Sequence, residues 1–176
     1  VTLDLKKALE REMDMILPPW HMLVVDDDEQ LCQSVTGSLK EIGIDTEWTL
    51  SGESALEMVK RRHQEHRDYQ VILLDWKLPE MDGIATAREI RRLLGDTVPV
   101  LLISAYYWSE IEDEAIEAGV TGFLSKPLFK STLFYGLKPY MDGQHEVSEV
   151  RMEEQMVFQG KRVLVAEDNE LNWEVA

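Results

Sequence analysis

Three carboxylates, a hydroxyl and an ammonium group stand at the ends of short apolar runs in this sequence. Asp26 and Asp27 follow the run MLVV, Asp75 ends VILLD, Ser104 ends VPVLLIS, and Lys126 comes shortly after VTGFL. In an open parallel sheet the functional site lies beyond the carboxyl ends of the strands. If these runs are parallel strands of one sheet, the five side chains meet at one edge.

Three carboxylates gathered at one edge would repel one another. At ~4 Å each pair costs about 1 kcal/mol in water and roughly 4 kcal/mol at an effective dielectric constant near 20. Lys126 supplies one compensating charge, so the cluster favours a hard divalent cation. Mg²⁺ suits a partial cage of oxygen atoms that leaves room for water and phosphate. The alternative for the acidic run 26–29, taken alone, is a solvated loop.

The elements that would position these residues follow from the hydrophobic pattern. Strand-like runs alternate with amphipathic stretches. The runs cover 22–26, 46–50, 71–75, 98–104 and 120–124, and the predicted helices run to about 41, through 62, over 83–93, 110–118 and 128–138. The first, third and fourth runs are continuously apolar, as in strands covered on both faces, and alternation with helices indicates a parallel sheet. Residues 21–140 therefore predict an α/β domain, a doubly wound sheet of five parallel strands.

The N-terminal segment, residues 1–20, carries a second pattern. Apolar residues recur at helical spacing and predict a helix over 3–17, which Pro18-Pro19 ends. This helix could continue a helical linker, fold back on the domain, or pair with a second copy in a homodimer.

The C-terminal part repeats the beginning of the domain. Residues 141–160 are polar and predict a linker, and residues 161–176 read KRVLVAEDNELNWEVA. Glu167 and Asp168 follow LVA as Asp26 and its neighbour follow LVV. We interpret this tail as the truncated start of a second domain of the same kind. With the missing initiator Met, it leads us to expect a piece of a longer chain.

Composition limits the classes of partner. The chain has 34 acidic and 18 basic residues and a net charge of −16. Such a surface repels phosphate backbones and anionic headgroups, which disfavours nucleic acid and membrane surfaces as partners. No apolar run approaches the ~20 residues needed to cross a bilayer. A single cysteine, Cys32, excludes an internal disulfide and indicates a reducing, cytoplasmic location.

Four motifs together resemble the receiver domain of response regulators in two-component signalling. They are VVDDDE, LLDWKLPEMDG, LLISA and GFLSKP. The resemblance covers residues 21–140 and implies a (βα)5 flavodoxin-like fold. It also implies a histidine kinase or a histidine phosphotransfer domain as partner.

The same resemblance assigns the metal site and the phosphorylation site. Asp75 would be the phospho-acceptor, whose carboxylate attacks the phosphorus of a phosphohistidine. Asp26, Asp27 and Asp75 would hold Mg²⁺ together with the backbone carbonyl of Lys77. The metal would offset charge on the phosphoryl oxygens.

Three further residues take roles from the resemblance. Lys126 and Ser104 would contact phosphoryl oxygens, the lysine as a point charge. Phe123 would be the aromatic switch residue that turns inward when Ser104 moves. Each has a plainer interpretation: a surface lysine, a core hydroxyl bonded to backbone, and a core aromatic. The family often has the peptide between Lys126 and Pro127 in cis.

Tandem receivers joined by a short linker are typical of hybrid sensor histidine kinases, whose parent chain can be membrane-anchored. We therefore expect a phosphoryl-accepting receiver that is no independent enzyme beyond its own phosphotransfer. A degenerate receiver that acts as a binding scaffold is the alternative. A phosphatase with an aspartate nucleophile is disfavoured because no cap or substrate pocket is visible in the sequence.

Overall fold

The predicted alternation of strands and helices is present in the part of the chain that the computed structural model describes, residues 15–105 and 111–142. The elements in chain order are β1 His21–Val25, α1 Glu29–Glu41, β2 Asp45–Thr49, α2 Gly52–Gln64, β3 Val71–Asp75, α3 Gly83–Leu94, β4 Val100–Ser104, α4 Glu112–Glu117, β5 Gly122–Ser125, α5 Lys130–Leu137 and a 3-10 helix Lys138–Asp142.

The strands form one parallel sheet in the order β2-β1-β3-β4-β5, which confirms the predicted fold class. All residues of β3 and β4, and four of the five in β1, are buried. Helices α2, α3 and α4 cover one face, and α1 and α5 cover the other. Burying each Leu, Ile or Val side chain contributes about 1.5–3 kcal/mol, so these central strands supply much of the stability.

The strand order changes direction at β1. The chain goes from β1 outward to β2 and then returns to β3 on the other side of β1. Loops diverge at such a switch point and leave a crevice at the carboxyl ends of the two strands. The crevice here opens between the residues that follow β1 and β3.

Side-chain caps determine where the helices begin. Asp28 accepts hydrogen bonds from the backbone N–H groups of Gln30 and Leu31 and begins α1. Asp82 accepts from Ala85 N at 2.7 Å and begins α3. Both caps end the loops that follow the carboxyl ends of β1 and β3, so they help to fix the loops that line the crevice.

Element ends differ from the sequence prediction by one or two residues in most elements. β4 begins at Val100 and not at residue 98, α4 covers 112–117 within the predicted 110–118, and β5 is shifted to 122–125. Met15–Leu17, included in the predicted helix 3–17, have no regular secondary structure. Residues that precede a proline favour extended backbone, and Leu17 N instead donates to Ile42 O at 2.9 Å. The rest of that helix and the tail 161–176 lie outside the described residues.

A buried arginine joins two loops at the amino ends of the strands. Arg91 of α3 donates through Nε to Gly119 O at 2.7 Å and through Nη1 to Val98 O at 2.7 Å and Gly95 O at 3.1 Å. Its Nη2 donates to the hydroxyl of Thr121 at 2.9 Å. Only 11% of this side chain is exposed. The guanidinium therefore satisfies carbonyl groups that water reaches poorly.

Replacing this arginine tests its structural role. Arg91→Met should lower the free energy of unfolding by about 2–4 kcal/mol, because it leaves several backbone carbonyls without a donor. Arg92→Met, at a neighbour whose side chain is 66% exposed, should change it by less than about 0.5 kcal/mol. Urea unfolding of both variants measures the difference. Equal effects of the two substitutions would contradict the role of Arg91.

Candidate functional site

One ammonium group contacts two carboxylates from neighbouring strands. Lys126 Nζ lies 2.7 Å from Oδ2 of Asp26 and 2.8 Å from Oδ1 of Asp75. Asp26 is fully buried after β1, and Asp75, the last residue of β3, is 5% exposed. Lys126 follows β5, and its backbone N–H donates to Ser104 O at the end of β4. The structure thus brings these residues to one edge of the sheet, as predicted.

Backbone groups hold the remaining carboxylate oxygens. Oδ1 of Asp26 accepts from Asp28 N at 3.0 Å, and Oδ2 of Asp75 accepts from Lys77 N at 3.0 Å. Each carboxylate is therefore fixed by one backbone N–H and one contact to Lys126. The peptide bond between Lys126 and Pro127 is cis, as the resemblance implied.

The pKa values of the buried groups reflect both desolvation and pairing. Burial raises the pKa of Asp26 above its ordinary value, and its hydrogen bonds to Lys126 and Asp28 only partly offset this effect. Burial alone would lower the pKa of Lys126, but its hydrogen bonds to Asp26 and Asp75 and their charges outweigh burial and raise it. The lysine therefore remains a cation at neutral pH.

The oxygen donors at this edge of the sheet fit a hard cation. Asp27 is exposed, and no group of three His, Cys, Asp or Glu side chains that could hold a metal ion occurs within 15–105 and 111–142. Mg²⁺ usually takes only one or two protein carboxylates and completes its shell with water and phosphate oxygens. Asp26 and Asp75 supply two carboxylates at this edge, and Lys126 contacts both of them.

Ser104 and Phe123 lie in the positions that the motifs predicted. Ser104 ends β4 beside β3, and only 3% of it is exposed. Phe123 of β5 is 9% exposed and packs in the core on the side of α2, α3 and α4. The roles predicted for these two side chains stay predictions.

Sequence reasoning did not assign a role to Asp28, which it grouped with the acidic run. In the structure Asp28 caps α1, and its backbone N–H orients Asp26. A signal was present, because an Asp followed by an acidic first turn is typical of a helix start.

The comparisons with known proteins agree with this geometry. A family model described as the response regulator receiver domain matches residues 22–137. Among the helices of the described part, none is long and apolar enough to cross a membrane.

Curated relatives include sensor kinases and a transcriptional regulator. The chain is 32% identical over 145 residues to the aerobic respiration control sensor protein ArcB of Escherichia coli, covering 81% of this chain and 18% of ArcB. It is 32% identical over 113 residues to the osmosensing histidine protein kinase SLN1 of Saccharomyces cerevisiae, covering 64% and 9%. It is 34% identical over 126 residues to the transcriptional regulatory protein ZraR of E. coli, covering 72% and 27%. The chain thus spans less than a third of each of these relatives.

Solved structures with the same fold include two receivers. One is the receiver domain of the histidine kinase CKI1 from Arabidopsis thaliana, solved in complex with Mg²⁺. It shares 31% identity with a TM-score of 0.62 and covers 72% of this chain and 94% of that one. The other is the chemotaxis protein CheY4 of Vibrio cholerae, with 28% identity, a TM-score of 0.62, and coverage of 69% and 98%.

The raised pKa of Asp26 predicts a stabilising substitution. Because its folded pKa lies above the unfolded value, ionised Asp26 destabilises the folded state at pH 7, and this cost fades as the pH falls through the folded pKa. In EDTA, Asp26→Asn should raise the free energy of unfolding at pH 7 on the order of 1 kcal/mol. The gain should shrink on acidification.

Urea unfolding across the pH range measures this gain. Asp96→Asn, at a carboxylate that is 97% exposed, serves as the control and should change little. A loss of stability in Asp26→Asn at pH 7 would contradict the prediction.

Proposed function

This chain belongs to the response regulator receiver domain family, and on that premise we propose that Asp75 accepts a phosphoryl group from a phosphohistidine in a two-component phosphorelay. The observation that carries the proposal is the shared contact of Lys126 with Asp26 and Asp75. Because of this contact, a positive charge already lies beside the carboxylate that would react.

In the proposed phosphotransfer, residues of the site would contact the oxygen atoms of the phosphoryl group. A carboxylate oxygen of Asp75 attacks phosphorus, the bond between phosphorus and the histidine nitrogen breaks, and its electron pair returns to the imidazole. The product is an acyl phosphate. Lys126, already within 2.8 Å of Asp75 Oδ1, would pair with a phosphoryl oxygen, since it is a compact point charge. The hydroxyl of Ser104 would donate to another.

A divalent metal would complete the site. When bound by Asp26, Asp27, Asp75 and the backbone carbonyl of Lys77, Mg²⁺ would offset the charge of the phosphoryl oxygens. The hydrogen bond from Lys77 N to Asp75 holds that loop against the carboxylate, which supports a ligand role for its carbonyl. Phe123 would turn when Ser104 engages the phosphoryl group, and so transmit the change to the signalling surface.

We also propose that the parent chain is a hybrid sensor histidine kinase with tandem receivers, and that this receiver is cytoplasmic. Two observations support this origin: the similarity to ArcB and SLN1, and the repeated phrase at 161–176. The phosphoryl donor would be a histidine kinase or a histidine phosphotransfer domain.

Phosphorylation by a small donor tests the central claim. Incubation with acetyl phosphate and Mg²⁺ should add one phosphoryl group to the intact chain, and omitting Mg²⁺ should abolish the gain. Asp75→Asn should remain unlabelled, since its amide is not a nucleophile of this kind, while the exposed Asp96→Asn should label like the wild type. Intact mass spectrometry measures all four samples. Labelling of Asp75→Asn would place the acceptor elsewhere.

Metal binding can be followed without phosphorylation. Trp76 is partly buried beside Asp75, and Lys77 Nζ lies 5.0 Å from its ring centroid. Mg²⁺ should change a fluorescence signal that Trp76→Phe removes, and it should raise the melting temperature of the wild type but not of Asp26→Asn. If Mg²⁺ changes neither signal and no label appears, the chain is a degenerate receiver that serves as a scaffold.

A further inference from the structure

A groove opens at the amino ends of the strands, at the end of the sheet opposite to the one that carries Asp75. Its volume is about 320 Å³. We call it the basal groove. It is lined by five aromatic or apolar residues, which are Trp20, Tyr69, Val98, Pro99 and Tyr140, and by three polar residues, one of which is Asp68. Most of this lining is aromatic or apolar, so it suits apolar side chains.

A basic segment adjoins the basal groove, although the whole chain has a net charge of −16. Residues 60–67 read KRRHQEHR, with four Lys or Arg residues against one Glu. Arg62 lies 4.8 Å from the centroid of the Tyr69 ring, and its Nε donates to Arg67 O at 2.9 Å. The basic segment is therefore in contact with the wall of the groove.

Interactions within the described residues account for only part of this basic charge. Basic residues in the last turn of a helix interact favourably with its dipole, and Arg67 pairs with Glu65. Lys60 and Arg61 are exposed, and neither takes part in an ion pair among residues 15–105 and 111–142. They remain available to an acidic group from elsewhere.

The chain's own linker has the complementary composition. Residues 143–160 contain four Glu and one Arg, interleaved with the apolar residues Val147, Val150, Met152, Met156, Val157 and Phe158. The described chain ends at Asp142, two residues after Tyr140, which lines the groove. The linker therefore begins beside the basal groove with opposite charge and apolar residues.

From this geometry we propose that residues 143–160 dock on the basal groove, with apolar side chains in the groove and glutamates against residues 60–67. Attachment to the same chain gives the linker a high effective concentration. A second copy lacks this advantage, because two chains of charge −16 repel each other. The same charge disfavours nucleic acid and anionic lipid as occupants.

Hydrogen exchange of the full chain, measured by mass spectrometry, tests the proposal. Amides of 143–160 should exchange more slowly than those of a synthetic peptide of the same sequence. Lys60→Glu/Arg61→Glu should speed that exchange roughly threefold to tenfold, as expected for the loss of two exposed ion pairs. Lys40→Glu, an equivalent exposed change in the last turn of α1, should leave it unchanged.

A charge swap separates docking from damage to the fold. Adding Glu149→Lys/Glu153→Lys to the Lys60→Glu/Arg61→Glu chain should restore the slow exchange. Val157→Ser/Phe158→Ser should speed exchange in 143–160 while β3 stays protected as in the wild type. Exchange of 143–160 at the rate of the free peptide would overturn the proposal. The proposal would also be overturned if the charge reversal leaves the protection of 143–160 unchanged, or if protection is found in residues 1–14 and not in 143–160.

Discussion

The contact of one ammonium group with two buried carboxylates is the constraint on which this structure depends. Parallel strands β1 and β3 are neighbours, so Asp26 and Asp75 are brought together whether or not their charges favour it. In a site of low effective dielectric their repulsion amounts to several kcal/mol. Lys126 offsets it only because the turn after β5 carries the side chain across β4 to both carboxylates.

The rest of the fold supports this edge of the sheet, where two like charges lie close together. Continuously apolar strands place the stability of the domain in the centre of the sheet, away from the charged residues. Caps at Asp28 and Asp82 fix the loops that follow β1 and β3, and these loops help to hold the two buried carboxylates in place. An ionised Asp26 in full burial makes the domain less stable than its core permits, as is common at sites selected for function.

Much of this arrangement could be predicted from the sequence, and the failures have physical reasons. Asp26, Asp75, Ser104 and Lys126 could be placed together because alternation with helices implies a parallel sheet, and parallel strands end at one edge. The exposure of Asp27 could not be predicted, because the side chains of neighbouring loop residues point in different directions. A loop has no periodic pattern that indicates which of them is buried. Arg91 was missed for a related reason: in a helix pattern it is one more polar residue, and two of its acceptors, Gly119 and Thr121, lie in a loop distant in sequence.

The two ends of the sheet are suited to different tasks. The fully buried β4 begins directly after Pro99 of the basal groove and ends at Ser104 of the candidate site, so these two residues lie about 17 Å apart along the strand. A packed strand transmits a displacement only if it has two discrete arrangements, and residues 101–103 in the middle of β4 pair with both β3 and β5. Chemistry at Asp75 is therefore expected to change the helices and loops near the carboxyl ends, while a linker docked at the amino ends stays in place. Such a division would separate the proposed phosphorylation at one end of the sheet from the proposed docking of residues 143–160 at the other.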